Sequence, residues 1–353
     1  MKVGILTFHR ANNYGAVLQC YALQEFIKQR GHEVWIIDYR QPSIEKVYTY
    51  WKWSWFCKKI LFPQRMIKYI SYVKRGHKKT IYFDSFRNRY LHLTQKYNAN
   101  HIPSEFDRYI IGSDQLLSIN ITHGLDPIYS AKFPVKLGSK KIGYAISSNK
   151  PSLDYINSVG WGQFFMGYDA FSLREQSLAD YVNTLSGRHI EVCLDPTLLL
   201  DEKKWDALCL HSPIYENNIV VYQVRFLPGK EQELMQKAKI LSKHINCKIV
   251  DLSSGEYNVN EWLSYIKGAR CVITSSFHAT VFALVFNKPL YSFKLNDGHD
   301  ERYVDLLESI ELHNCICDLN YTPTCLPKYD KTFISSKLTT LRKPSLFFLC
   351  SNI

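Results

Sequence analysis

Long hydrophobic runs are missing: nothing in the 353 residues approaches the roughly 18 uninterrupted apolar residues of a membrane-spanning helix, so a helical span is excluded. A strand-like run begins at Lys2 with no signal-peptide cleavage pattern, and a cytoplasmic protein is expected. No GxGxxG fingerprint follows that run, so nothing requires a dinucleotide. Helix-turn-helix, zinc-finger and RNA-recognition signatures are absent, as are internal repeats and low-complexity tracts beyond one basic insertion. Cysteine is not scarce, at 10 residues, yet Cys20, Cys193, Cys247 and Cys271 stand singly in apolar or helical contexts and read as small core residues. Cys315 and Cys317 form the one close pair, with no second pair nearby, so neither a structural metal nor a cofactor is expected.

With 46% hydrophobic residues, a chain of this length can bury ample core, and its size suggests two domains. A βα pattern opens it: a strand over Val3–Phe8, a loop, a helix over about Ala16–Gln29, and a strand over Val34–Asp38. Strands follow at Tyr109–Gly112, Ile142–Ile146, Ala170–Leu173 and Val192–Leu194, with a helix over about Gln176–Leu185. A second alternation starts with a strand at Ile219–Val224. Its helix carries Leu234, Ala238, Leu241 and Ile245 on one face, and Lys248–Asp251 is the next strand. Asn258 with Glu261 has the form of a helix cap. The expectation is an α/β protein of two Rossmann-like domains facing a cleft. Residues 1–205 form the first and 206–353 the second, which ends in a tail.

Within the second unit, Cys271–Thr274 is short, apolar and rich in β-branched residues, as a strand covered on both faces would be. Ser275, Ser276, Phe277 and His278 then fall at its carboxyl end, where open α/β sheets place ligands. A helix starting near Ala279 would aim its free N–H groups at the same spot and favour an anion. His278 could equally cap the helix or satisfy a core hydrogen bond.

Several segments resemble the polysaccharide pyruvyl transferases. Residues 275–280, SSFHAT, followed by VFALVFNKP, are similar to that family's serine-phenylalanine-histidine-glycine turn, helix and asparagine-lysine-proline. The opening strand with Asn12, Asn13, Tyr14 and Gly15, the run Gly112-Ser113-Asp114-Gln115, the run Ser172-Leu173-Arg174-Glu175 and the run Leu194-Asp195-Pro196-Thr197 match further landmarks in order. Leu117 stands where the family often has tryptophan, and Ala279 replaces its usual glycine. The resemblance implies a GT-B-like fold and a ketal-forming enzyme of surface-polysaccharide synthesis. Its donor would be phosphoenolpyruvate and its acceptor a pair of sugar hydroxyls on a glycan or lipid-linked glycan. A sugar-nucleotide glycosyltransferase and a non-catalytic glycan- or lipid-binding protein are the alternatives.

That chemistry needs cations for the donor's carboxylate and phosphate and a group that transfers protons near neutral pH. His278 is the first choice for proton transfer. Asp114, at a strand end, suits a base, a sugar ligand or a helix cap. Arg174 is the expected donor cation, followed by Arg302 and Lys294, with Ser276 at the helix start. Asn12, Asn13 and Gln115 suit acceptor or loop hydrogen bonding, although asparagines also stabilise turns unaided. Asp195 reads as a structural turn outside the site.

Charge is uneven. From Lys46 to Phe83 there are 10 Lys and Arg and no acid, against a net charge of +12 for the whole chain. Trp51, Trp53 and Trp55 lie among them. This insertion could meet an anionic membrane through its aromatics and Lys58, Lys59, Lys78 and Lys79. It could also bind nucleic acid, or pack its aromatics inward with the lysines in solvent. No nucleic-acid partner is expected, because no recognition motif accompanies the charge.

Overall fold

The computed structural model describes residues 1–51 and 63–353. Trp53, Trp55, Lys58 and Lys59 lie outside the described residues. Two parallel sheets organise the chain. The first contains β1 (Lys2–Leu6), β2 (Glu33–Tyr39), β3 (Leu93–Tyr97), β4 (Arg108–Asp114), β5 (Lys140–Ile146), β6 (Ala170–Leu173) and β7 (Glu191–Val192), in the order β3-β2-β1-β4-β5-β6-β7. The second contains β8 (Asn218–Tyr222), β9 (Lys248–Asp251), β10 (Cys271–Thr274), β11 (Leu290–Phe293) and β12 (Ile316–Cys317), in the order β12-β11-β10-β8-β9. The order reverses between β1 and β4 in one sheet and between β8 and β10 in the other. Crevices at the carboxyl ends of such strand pairs are where doubly wound folds bind ligands.

Strand ends differ from expectation where polar residues extend a pairing. β4 continues through Ser113 to Asp114 because Gly112 and Asp114 still pair with Tyr144 and Ile146 of β5. β3 has the sequence LTQKY and no buried residue, so an edge strand of this kind leaves no apolar alternation to read.

Eight helices matter for the site and its surroundings: α1 (Tyr14–Lys28), α2 (Pro63–Tyr90), α3 (Gln176–Ser186), α4 (Glu233–Ile245), α5 (Val259–Gly268), α6 (Phe277–Val285), α7 (Glu301–Ser309) and α8 (Lys331–Asn352). α5 opens with the expected reciprocal cap. Asn258 Oδ1 accepts from the Glu261 N–H at 2.9 Å, and Glu261 Oε2 accepts from the Asn258 N–H at 2.8 Å. Such a cap contributes about 1 kcal/mol. α6 starts at Phe277 rather than near Ala279, because Ser276 is extended and takes the cap position. His278 is therefore inside the first turn. α8, read from sequence as a tail, returns to the first sheet: the Ser345 hydroxyl accepts the Leu194 N–H at 2.7 Å, and Arg108 Nε donates to the Asn352 carbonyl at 3.0 Å.

Beside the cavities described below, the two units also meet along an apolar seam. Tyr14 of α1 stacks on Trp262 of α5, with centroids 5.0 Å apart and planes 12° apart, and meets Tyr222 edge-on. Its hydroxyl donates to the Tyr257 carbonyl at 2.7 Å. Phe83 of α2 packs on the same ring, and Phe282 of α6 meets Trp262 and Trp205 edge-on. Each aromatic pair adds roughly 0.5–1.5 kcal/mol beyond its burial. One continuous hydrophobic cluster accordingly contains residues of both units. The four singly placed cysteines, Cys20, Cys193, Cys247 and Cys271, are buried free thiols.

Candidate active site

The carboxyl end of β6 delivers Arg174 and Glu175, and the chain leaving β7 delivers Asp195. Asp195 does cap a turn, as its place before Pro196 suggests: Oδ1 accepts the Thr197 N–H at 3.0 Å and the Thr197 hydroxyl at 2.6 Å. Its other oxygen does more. Oδ2 accepts from Arg174 Nη1 at 2.7 Å and stands 3.5 Å from His278 Nε2, which comes from the other unit. Burial alone would raise this carboxyl's pKa, but His278, Arg174 and Thr197 outweigh it and hold it well below the usual carboxylate range. Asp195, left out of the site from sequence, is thus a buried anion joining the two units.

Arg174 is buried and already occupied. Nε donates to Glu175 Oε1 at 2.9 Å, Nη1 goes to Asp195, and the guanidinium lies 4.4 Å over the Phe277 ring. Nη2 is buried without a protein partner among the described residues, so one donor edge remains for a ligand. Burial opposes its charge, but Glu175, Asp195 and Asp114 together raise its pKa above the ordinary value. Glu175 also accepts the Ser147 hydroxyl at 2.8 Å, while its Oε2 is buried and unpartnered. There burial prevails over Arg174 and Ser147, and the carboxyl is raised.

His278 is held by what it lacks room for. A Cβ on Gly15 would lie 2.0 Å from His278 Nδ1, so the first turn of α1 can approach the imidazole only as glycine. Gly15 is not in the left-handed region; the requirement is space alone. Nε2 of His278 and Oγ of Ser275, three residues earlier, are buried without a hydrogen-bond partner among the described residues. Ser276 provides no side-chain cap for α6, which leaves the first-turn N–H groups of that helix uncapped beside them.

Arg302 on α7 lines two cavities. The larger, of about 230 Å³, also has Gln115, Glu175 and His299 in its wall. The smaller, of about 110 Å³, has Arg174, Asp195 and Phe277. Arg302 Nε donates to the His299 carbonyl at 3.3 Å, and its two terminal nitrogens have no protein partner among the described residues. Burial first, then the nearby Arg174 and Arg225, push its pKa down to about 10. Three guanidiniums therefore converge, and of these Arg302 has no carboxylate bonded to it among the described residues. Arg225, which sequence reading missed, lies beyond β8 and is held by Asp297 at 2.9 Å, Asp300 at 3.2 Å and the Ser275 carbonyl at 3.3 Å.

Other expected residues fall on both sides of this boundary. Asp114 has φ +86° and accepts the Gln115 N–H at 2.9 Å, so it caps no helix, and its charge acts on both Arg174 and Arg302. The amide nitrogen of Gln115 is buried without a partner among the described residues. Ser276 uses its N–H on Thr274 Oγ1 at 3.0 Å. Three expected residues are engaged elsewhere. Asn12 donates to Thr80 at 3.0 Å and accepts from the buried Arg87 of α2 at 2.8 Å. Asn13 caps α1 through the Ala16 N–H at 3.2 Å. Lys294 pairs with Asp318 at 3.1 Å and lines neither cavity. Of the two neighbouring loop asparagines, Asn13 shapes the start of α1 and Asn12 ties the loop to α2.

Two doubly wound units that meet over a carboxylate–imidazole pair, with Arg302 close by, define a GT-B-like α/β protein. The sequence matches the polysaccharide pyruvyl transferase family over residues 13–296, and the chain belongs to that family of enzymes. No curated protein matches it. Solved structures with a similar chain course include the UDP-GlcNAc 2-epimerase of Methanocaldococcus jannaschii, at 8% identity, covering 97% of this chain and 93% of that one with a TM-score of 0.44. The ADP-heptose LPS heptosyltransferase II of E. coli matches at 10% identity, covering 100% of both chains with a TM-score of 0.37. The spinosyn forosaminyltransferase SpnP matches at 12% identity, covering 100% and 94% with a TM-score of 0.39. The fold assignment rests on the strand orders above and not on these distant likenesses.

Two outcomes test the geometry. Gly15→Ala should destabilise the protein by about 1–3 kcal/mol through overpacking against the imidazole. In a His278→Ala background the same change should be neutral or stabilising by roughly half a kcal/mol, because only the helix preference for alanine remains. Equal destabilisation in both backgrounds, read from urea unfolding, would mean that Gly15 is not making room for His278. Asp195→Ala should cost about 3–5 kcal/mol, since it strands one side of a buried ion pair. A loss below about 1 kcal/mol would remove Asp195 from its joining role.

Proposed function

We propose that the protein transfers the three-carbon unit of phosphoenolpyruvate to two hydroxyls of one sugar in a surface polysaccharide or its lipid-linked precursor, forming a pyruvate ketal. The observation that carries this reading is the convergence of Arg174, Asp195 and His278 with Arg302, to which no described carboxylate is bonded, where the carboxyl edges of both sheets meet. The donor is a compact anion with a carboxylate and a phosphate. Arg302 can offer a bidentate fork, and Arg174 its one remaining nitrogen, to these groups.

In the proposed sequence a proton adds to the methylene carbon of the donor, carbon two gains oxocarbenium character, and the first sugar hydroxyl attacks it. Loss of phosphate and attack by the second hydroxyl complete the ketal. One hydroxyl proton is recovered in the new methyl group, and the other leaves with phosphate. His278, oriented by the carboxylate of Asp195, is assigned proton transfer. Asp114 and Gln115 are assigned to the acceptor side, with Ser276 at the helix start. The protein would work at the cytoplasmic side of an envelope pathway. No described helix is long and apolar enough to cross a membrane.

Incubation with phosphoenolpyruvate and candidate glycans, with phosphate release followed over time, is the direct test. His278→Gln should lower turnover by about two to four powers of ten, as removal of a general acid or base does, with the fold intact. Near-normal turnover would take His278 out of the mechanism, and activity with a sugar nucleotide in place of phosphoenolpyruvate would replace this function with glycosyl transfer.

Arg302→Gln separates binding from stability. Donor affinity by calorimetry should fall roughly tenfold to a hundredfold, the range for a lost charged hydrogen-bonding partner. Resistance to urea should stay level or rise, because burial and like charges already disfavour this cation in the free protein. Unchanged donor affinity would move the anion site elsewhere.

A further inference from the structure

α2 turns the wrong residues outward for a helix that merely covers a core. Its buried face carries Tyr69, Gly76, Phe83, Phe86 and Arg87. Tyr50 packs so closely over Gly76 that a Cβ there would sit 2.2 Å from its ring. The opposite stripe runs through Ile67, Ile70, Lys74, Lys78 and Ile81, spaced three, four, four and three, so these residues share one side. All five are exposed, with Ile67 at 67%, Ile70 at 40% and Ile81 at 62%. Lys68 and Arg75 flank them and are exposed as well. Isoleucines centred on the solvent side of a helix, where polar residues normally stand, indicate a surface that leaves water.

Charge identifies the occupant. No acid occurs from Lys46 to Phe83, so Lys68, Lys74, Arg75 and Lys78 are unneutralised by their own helix until Asp84. Among the described residues no carboxylate forms an ion pair with any of these four. We infer that the outer face of α2 docks on an anionic lipid bilayer surface, lying in the plane of the interface with its isoleucines at the headgroup boundary and its cations on lipid phosphates. An apolar stripe bordered by unpaired cations fits that surface. An acidic protein groove would also meet the cations, but it would not require anionic lipid.

The structure alters which residues do this. Lys79, grouped with Lys78 from sequence, turns inward: it lies against Gly255 and over the Phe83 ring, and burial lowers its pKa. The docking residues are Lys68, Lys74, Arg75 and Lys78 with the three isoleucines. This assignment needs neither donor nor acceptor, so it stands or falls separately from the proposed reaction.

Sedimentation of the full chain with vesicles of phosphatidylcholine alone, and of phosphatidylcholine mixed with phosphatidylglycerol, tests it. Binding is expected only to the mixed vesicles and should weaken as salt rises. Each basic residue near such a surface strengthens partitioning by about fivefold, so the variant K68Q/K74Q/R75Q/K78Q should bind at least roughly a hundredfold more weakly. The exposed set Lys230, Lys239, Lys243 and Lys248 on the other unit gives a charge-matched control, and its glutamine variant should retain most binding. I67S/I70S/I81S should lose binding without changing its elution volume in size exclusion. Equal pelleting with both vesicle types, an equal loss in the control variant, or dissociation of an oligomer by the isoleucine changes would each overturn the assignment, the last showing instead that this face joins copies of the chain.

Discussion

The buried carboxylate of Asp195 is the interaction on which the rest of the site depends. It is the one group bonded at once to its own turn through Thr197 and to the first unit's guanidinium at Arg174, while facing the second unit's imidazole at His278. A carboxylate taken out of water is tolerated only when most of its lone-pair directions are filled, and here Thr197 fills one oxygen while Arg174 fills the other. Asp195 thereby fixes the rotamer of Arg174, and Phe277, stacked on that guanidinium, inherits its place. The start of α6 is set against the first sheet by polar contacts and not by shape alone.

Shape does contribute, through α1. Tyr14 and Gly15 are consecutive and do opposite things. Tyr14 projects a large ring into the seam against Trp262, while Gly15 projects nothing and lets His278 lie against the helix backbone. One turn of α1 thus provides both the adhesion that keeps the units docked and the gap that the imidazole fills. Because Arg174, Glu175 and Asp195 come from one unit and His278, Arg225 and Arg302 from the other, the site exists only while the units are together. The aromatic seam makes that state the default.

Much of this was legible in the sequence, and the reasons for the exceptions are physical. The buried parallel strand Cys271–Thr274 was placed to the residue, because covered strands are short β-branched or apolar runs with sharp ends. β3 carried no such signal, being an edge strand of polar residues. Local rules worked where the interaction is local, as in the Asn258–Glu261 cap. They could not rank Asp195, whose cap was visible at short range while its bonds to Arg174 and its contact with His278 span 21 and 83 positions of sequence. Asn12 shows the same limit: its type suits a ligand, and the structure bonds it to Arg87, 75 residues on. Long-range pairing is what a single sequence withholds, and buried ions are arranged by it.

The remaining imbalance has a consequence for the order of events under the proposed reaction. Glu175 and Asp195 bond Arg174, and Asp297 and Asp300 bond Arg225, whereas among the described residues no carboxylate bonds Arg302, whose Nε donates to the His299 carbonyl. The free protein therefore holds a cation beside two like charges, and an entering anion supplies the missing countercharge. Such a site is organised before the donor arrives and gains most from the donor's own charge. The cavity beside it, about 230 Å³, is below the usual 300–1,000 Å³ of small-molecule sites, in keeping with the compact donor of the proposed reaction. Donor first and acceptor second is the order that this geometry favours, since an acceptor seated at the mouth would block the way to Arg302.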